Sequence, residues 1–299
     1  MTRPRHAGDT LVTVGHMIDT GRYNLCRVTG RWLELAGGVF ARRYAELDLT
    51  VGLVVGAERA LVIDTRGDGT QGAELARAVR EVTALPLAVA ITHGHFDHCF
   101  GTAGLLAEAG AGGGRTPVYA HHGCAGWLRD NIEPQRSHWV GYYRKRGDKE
   151  SAAALAEAEV LLPDTPVEYE AEVDLGGRVA TLLHPGRGHT DHDLAVHLPD
   201  CGVVFAGDLV EEGAPPAFED ADPLRWPDAL DALLTLRPER VVPGHGEPVS
   251  AGFVAGQRAE LITLAELCRG VLAGELAKSD VEAISPYPLS TTQMALSRI

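Results

Sequence analysis

Apolar residues in this chain gather in short runs separated by turn residues, and the spacing within the runs alternates between strand and helix periods. Residues 51–64, VGLVVGAERALVID, read as two apolar strands around a Gly-containing turn, a hairpin whose second strand ends in Asp64. A helix is predicted over 70–84, with Thr70 as N-cap and Leu75, Val79 and Val82 at helical spacing. After Pro86 the run LAVAIT predicts a short buried strand that delivers the chain into HGHFDH at 93–98. A helix over about 99–109, broken by the glycines of AGAGGGRTP, precedes the strand PVYA and its terminal His121 and His122. Such alternation predicts an α/β layer architecture.

From about 123 to 165 the pattern loosens into helical sequence containing Trp127, Trp139, Tyr142 and Tyr143, and reads as a helical insertion placed to cover a site. Strands return at about 167–173, 178–184, 194–198 and 202–206, with Pro-Asp-Cys-Gly at 199–202 as a hairpin turn. A helix near 225–236 and a strand at 240–242 lead into PGHG. Ser250 is placed to cap a long helix over 251–277, in which Leu261, Leu264, Cys268 and Val271 recur at spacings of three and four. Ser279 and Glu282 have capping-box spacing for a last short helix, ended by Pro286 and Pro288, so C-terminal helices are expected over about 251–285. With no repeat at solenoid periods and no low-complexity segment, residues 1–299 read as one domain.

Composition narrows the function. Apolar residues at 45% and charged residues at 23% fit a soluble packed fold. The formal charge of −14 argues against binding nucleic acid, which needs cations against phosphates. No stretch approaches the length of a membrane span, and the polar opening MTRPRHAGDT lacks the apolar core of a secretion signal. Cys26, Cys99, Cys124, Cys201 and Cys268 are scattered, odd in number and without a C-x-x-C pair. That usage suits a reducing compartment, so a cytoplasmic location is expected.

The chemistry concentrates in HGHFDH, which places three imidazoles and a carboxylate within six residues at the C-terminal end of an apolar strand, the edge where α/β sheets carry their sites. The pattern H-x-H-x-D-H would arise by chance roughly once or twice in a thousand such chains. His93 and His95, two residues apart, point the same way in an extended segment, whereas Asp97 and His98 need a turn to share a centre. A catalytic zinc takes about three protein ligands, so further donors must come from elsewhere. Three segments can supply them: PGRGHT with His189, FAGDL with Asp208 and VVPGHG with His245, each at or just past a predicted strand end with glycine beside the donor.

The set TH-x-H-x-DH, GHT, AGD and PGHG, in this order and with Asp64 at the end of LVID, resembles the metallo-β-lactamase-fold superfamily over most of the chain. The resemblance implies a four-layer αββα sandwich with two metal ions, zinc with iron or manganese as alternatives, at one edge of the sheets. It implies that His93, His95 and His189 hold the first ion, that Asp97, His98 and His245 hold the second, and that Asp208 bridges them. Asp64 would orient ligands without being one. Two dications that close can supply hydroxide near neutral pH and polarise a carbonyl, so the expected reaction is hydrolysis of a small ester, lactone, thioester or amide by hydroxide bridging the ions. Asp97 is the candidate for relaying a proton to the leaving group, and Asp208 is the second catalytic candidate.

Around this set several residues keep two readings. His184 and His192 flank GHT and either line the pocket or serve structure; His121, His122 and His138 lie in or beside the insertion, and His6, His16 and His197 carry no motif. The basic run YYRKR at 142–146 reads as an anion-recognising patch or a solvated helix face. The aromatics of the insertion read as pocket walls or as packing. Beyond hydrolysis, a mononuclear iron sulfur dioxygenase of the same fold and a non-catalytic binding module are the alternatives, and the long helix near residue 260 is compatible with a homodimer. The expected partner is a small-molecule substrate, with neither nucleic acid nor membrane.

Overall fold

The computed structural model describes residues 30–110 and 115–299; His6, His16, Cys26 and the glycines 112–114 lie outside the described residues. Twelve described strands form two sheets. Strands β1 (Arg31–Ala36), β2 (Val39–Arg43), β3 (Thr50–Val55), β4 (Ala60–Ile63), β5 (Leu87–Ala90), β6 (Val118–His121) and β7 (Thr165–Val167) lie in sequence order in the first. The second runs β12 (Arg240–His245), β11 (Val203–Glu211), β10 (Ala195–Leu198), β9 (Val179–Leu183) and β8 (Glu170–Asp174). β4 through β7 pair in parallel, as do β11 and β12, while the remaining pairs are antiparallel.

Period-two alternation in these strands builds the layers, because successive side chains leave opposite faces of a sheet. Leu61 and Ile63 of β4, Ala88 and Ala90 of β5, and Val203 and Phe205 of β11 all enter one core between the sheets. The intervening Val62 and Val89 face a second core under the helices Gly69–Val82, Thr102–Ala109 and Cys124–Lys145. Val204, Ala206 and Val241 face a third, beneath the helices Trp226–Thr235 and Ala251–Leu272. Three apolar interfaces make four layers, so the αββα sandwich follows from strands that are buried on both faces, which is also why they read as near-continuous apolar runs.

Several elements differ from the sequence reading. The first helix begins at Gly69 with Asp68, not Thr70, as its N-cap: Asp68 Oδ1 accepts from the Gln71 backbone N–H at 2.9 Å. A carboxylate two residues earlier out-competes a hydroxyl for the free helix donors. Ser250 does cap the long helix, accepting from Phe253 N at 3.3 Å, but that helix ends at Leu272. The next helix starts at Lys278, one residue ahead of Ser279, and Asp280 rather than Glu282 reaches back to the Ala277 backbone N–H at 3.2 Å. A further helix, Leu289–Ser297, follows the prolines, with Pro288 at its N-cap. The strand read over 167–173 is two short strands, β7 and β8, that belong to different sheets. The β1–β2 hairpin, half-buried and mixed in polarity, had no clear period.

Candidate metal centre

The four segments with metal-binding chemistry meet where the two sheets are stitched together. Leu194 donates its backbone N–H to Thr92 O at 2.7 Å, Gly246 donates to Asp48 O at 2.9 Å, and Leu49 bridges to His245. His93 to His98 occupy the turn after β5, running into the short helix Phe96–Cys99; His189 lies between β9 and β10, Asp208 on β11, and His245 at the end of β12. A β-bulge in the β11–β12 pairing, with Gly207 at φ +55°, turns Asp208 toward the imidazoles. Gly244 lets β12 pass beside it, since a Cβ there would lie 1.8 Å from Asp208 Oδ1. Gly244→Ala is therefore expected to cost about 1–3 kcal/mol of stability and to remove metal binding, read as a lower Tm and loss of metal from the purified variant.

All seven residues singled out in the sequence converge, as two donor sets sharing one carboxylate. In the first, His93 Nε2 lies 3.1 Å from His95 Nδ1, which lies 2.9 Å from His189 Nε2. Asp208 Oδ2 is 3.6 Å from both His93 Nε2 and His189 Nε2. In the second, His98 Nε2 and His245 Nε2 are 3.4 Å apart, and Asp97 Oδ2 stands 3.4 Å from His245 Nε2 and 3.9 Å from His98 Nε2. Asp208 spans the sets, with Oδ1 3.2 Å from His98 Nε2 and Oδ2 3.3 Å from His245 Nε2. Donors about 2.0–2.1 Å from a tetrahedral zinc lie roughly 3.3 Å from one another, so these spacings suit the edges of such a coordination shell.

The outer hydrogen bonds show why those nitrogens face inward as lone pairs. His95 Nε2 donates to Asp220 Oδ2 at 2.9 Å, and His189 Nδ1 donates to Ala217 O at 3.2 Å. His245 Nδ1 donates to Leu47 O, and His98 Nδ1 to Asp64 Oδ2, both at 2.8 Å. Thr92 gives its own hydroxyl proton to Asp64 Oδ2, so its oxygen accepts from His93 Nδ1 at 3.0 Å. Each neutral ring thus has its proton on the far nitrogen, leaving five lone pairs aimed at two small volumes, which only a cation or a proton reconciles. Asp208 Oδ1, buried and in no hydrogen bond among the described residues, is met only by the 3.2 Å approach of His98 Nε2 and points to the same requirement.

The two sets differ in charge. Burial and the neighbouring imidazolium of His98 hold His93 well below its usual pKa, and burial lowers His189 to about 3 despite Asp208. Burial works against His98 and His245 as well, but Asp208 and Asp97 outweigh it, holding His98 well above its usual value and bringing His245 to about 10. Asp208 itself, against its burial, is held well below the carboxylate range by His98, His245 and His93. Without metal His93 and His189 are held unprotonated, while His98 and His245 hold protons that a cation must displace. Affinity of the second set for zinc should therefore fall more steeply with acidification, by about tenfold per pH unit for each proton released. Competition with a chelating indicator at pH 6, 7 and 8 reads this directly; equal slopes for both sets would contradict it.

Asp64, read from the sequence as a ligand-orienting carboxylate, is buried in a left-handed conformation at φ +63°. It accepts the Thr92 backbone N–H, the Thr92 hydroxyl and His98 Nδ1, each at 2.8 Å. Strain of that kind persists only where such contacts over-determine it. Two further clamps had no signal in the sequence. Gln135 brackets the ligand turn from its helix, donating to Gly94 O at 3.1 Å and accepting from Phe96 N at 2.9 Å. Asp220, which fixes the tautomer of His95, sits in a loop without a motif. His192 belongs to the frame: fully buried, it accepts from Gly94 N at 3.1 Å and donates to Asp191 at 2.7 Å. His184 donates to Asp193 O at 2.7 Å and stacks on His121, 4.2 Å between centroids, away from both sets.

The aromatics of the insertion serve both roles considered for them. Trp127 meets the His95 ring edge-on at 5.6 Å, whereas Trp139 packs on Phe96 at 4.5 Å and Tyr143 is buried in the helix-side core. Arg144, Lys145 and Arg146 are exposed at the helix end, a solvated face, and His138 is exposed beside Trp139.

Fold and site together define a metallo-hydrolase class: two apolar sheets between helical layers, with clustered His and Asp donors at the sheet edge. A family model for the metallo-beta-lactamase superfamily matches residues 47–245, which contain every one of these donors, and the chain belongs to that superfamily. Among relatives, a linear primary-alkylsulfatase of Pseudomonas sp. is 22% identical over 66% of this chain and 41% of its own length. A hydroxyacylglutathione hydrolase of Erythrobacter litoralis is 28% identical over 39% of this chain and 48% of its own. The chain thus spans under half the length of either. A metallo-beta-lactamase from Pontibacter korlensis has the same fold, with TM-score 0.60 and 21% identity over 78% of this chain and 99% of that one. One from Pseudomonas aeruginosa, in a mono-zinc form, gives 0.61 and 18% identity over 80% and 98%.

Proposed function

We propose that this metallo-hydrolase is dinuclear, that zinc is its metal, and that it cleaves a small ester, lactone, thioester or amide. The observation that carries the reading is the pair of donor sets joined by Asp208, whose inward-facing lone pairs and orphaned oxygen call for two cations. His93, His95 and His189 would hold one ion and Asp97, His98 and His245 the other, with Asp208 on both. Nitrogen-rich ligation with carboxylates, without a thiolate, suits zinc and also admits iron or manganese. Bound there, the ions would lower the pKa of water and polarise the scissile carbonyl.

The protein's part is to fix the ligand tautomers through Asp64, Thr92, Asp220 and the carbonyls of Leu47 and Ala217, and to hold Asp97 at the edge of the second set. Asp97 Oδ2 faces His245, and its carboxylate is the group assigned to relay a proton toward the leaving group. The hydroxyacylglutathione hydrolase among the relatives supports including thioesters in a screen, and the alkylsulfatase adds sulfate esters. Elemental analysis of the purified chain, with a screen over chromogenic esters, lactones, thioesters, sulfate esters and β-lactams, tests the reading. About two zinc ions per chain and turnover of one class are expected. Iron with substrate-dependent oxygen uptake would replace it with a dioxygenase, and a His95→Ala variant that retains function would leave a binding module.

A further inference from the structure

A cavity of about 390 Å³ opens beside the first donor set, and its charged groups are unequally committed. Its wall includes Trp127, whose ring meets His95, and Asp220, which holds His95 Nε2, so the cavity begins one imidazole ring away from the candidate metal position. Three carboxylates in the wall are already engaged. Asp191 accepts from His192 at 2.7 Å, Asp220 accepts from His95 at 2.9 Å, and Asp222 accepts the backbone N–H groups of Leu224 at 3.1 Å and Arg225 at 3.2 Å. The two cations in the same wall act on two of these carboxylates only through their charge, Arg187 on Asp191 and Arg298 on Asp220. Among the described residues Arg187 is in no ion pair, and Arg298 uses only its Nε, on Ala221 O at 3.3 Å, leaving both terminal nitrogens uncommitted.

We propose that Arg187 and Arg298 bind an oxyanion carried by the substrate away from its scissile bond, so that the site selects acyl substrates bearing a second, ionised carboxylate. This rests on the hydrolase reading above. A guanidinium presents paired N–H donors that match a carboxylate, and two of them, both exposed, line the same cavity beside the first donor set. Trp127 and Leu224, in the same wall, provide apolar surface for the carbons linking the two ends. On a chain of net charge −14 the long-range field repels anions, so selection of an anionic substrate has to come from local, geometrically matched cations such as these.

The test uses the zinc-loaded full chain with 4-nitrophenyl acetate and mono-4-nitrophenyl succinate, which differ by a distal carboxymethyl group. The ratio of kcat/KM, succinate over acetate, should exceed about tenfold in the parent and fall toward unity in R187Q and in R298Q. A parent without preference, or variants that lower both esters equally and leave the ratio intact, overturns the proposal. Calorimetric titration with glutarate gives a reading independent of turnover: its Kd should rise about tenfold in each variant, and an unchanged Kd also overturns the proposal. Should the parent hydrolyse neither ester while glutarate binding still depends on the arginines, the anion site stands and the acyl-hydrolase reading is what fails.

Discussion

Asp208→Ala is expected to lower kcat/KM by at least about a thousandfold and to leave the purified protein with less than one equivalent of metal. Its carboxylate stands within 3.6 Å of four ligand nitrogens drawn from both donor sets, so the substitution removes a donor from each ion at once. Metal ions contribute several kcal/mol of transition-state stabilisation, and about 4 kcal/mol corresponds to a factor of about a thousand. Removing the largest of the charges that offset His98 and His245, with Asp97 left in place, also makes the protonated metal-free form less favourable. Asp64→Asn supplies the contrast. It keeps the shape and loses one acceptor on His98 or Thr92, so activity should fall about 10- to 100-fold with metal retained. Steady-state rates with metal analysis on both variants check the pair; an active Asp208→Ala protein would remove the bridging role.

Stripping the metal with a chelator should lower Tm by roughly 7 °C, reversibly on adding zinc. A ligand present at about a thousand times its Kd stabilises the folded state by about 4 kcal/mol, and at about 2.1 cal/mol/K of unfolding entropy per residue a chain of 299 residues converts that into roughly this shift. The site makes it structural as well as thermodynamic. The donors come from the turn after β5, the β9–β10 loop, β11 and β12, so the ions would tie the first sheet to the second. In their absence the nitrogens of His93, His95 and His189 face one another at about 3 Å with protons directed elsewhere. Calorimetry before and after chelation reads the change, and an unaltered Tm would mean that the cluster closes without a cation.

Hydrophobic period and motif carried much of the layout. The β3–β4 hairpin, β5 running into HGHFDH, the β10–β11 hairpin and the helix capped by Ser250 are local features, decided by alternation, turn residues and caps within a few positions. Sheet membership was not local. Residues 167–173 have strand composition throughout, but only the packing of two layers decides that the chain leaves the first sheet after Val167 and enters the second at Glu170.

The seven residues that converge were legible because metal chemistry restricts residue type: imidazoles, carboxylates and thiolates serve, and glycine beside them betrays close approach. What holds those donors left no such trace. Leu47 and Ala217 act through backbone carbonyls that any residue provides, and Asp220 and Gln135 reach the site only because loops and helices distant in sequence pack against it. Which groups could hold a metal was thus written in side-chain type and spacing. Which nitrogen of each ring faces inward, and which cavity charges stay uncommitted, was decided by the tertiary structure, because hydrogen bonds are settled by proximity and proximity comes from folding.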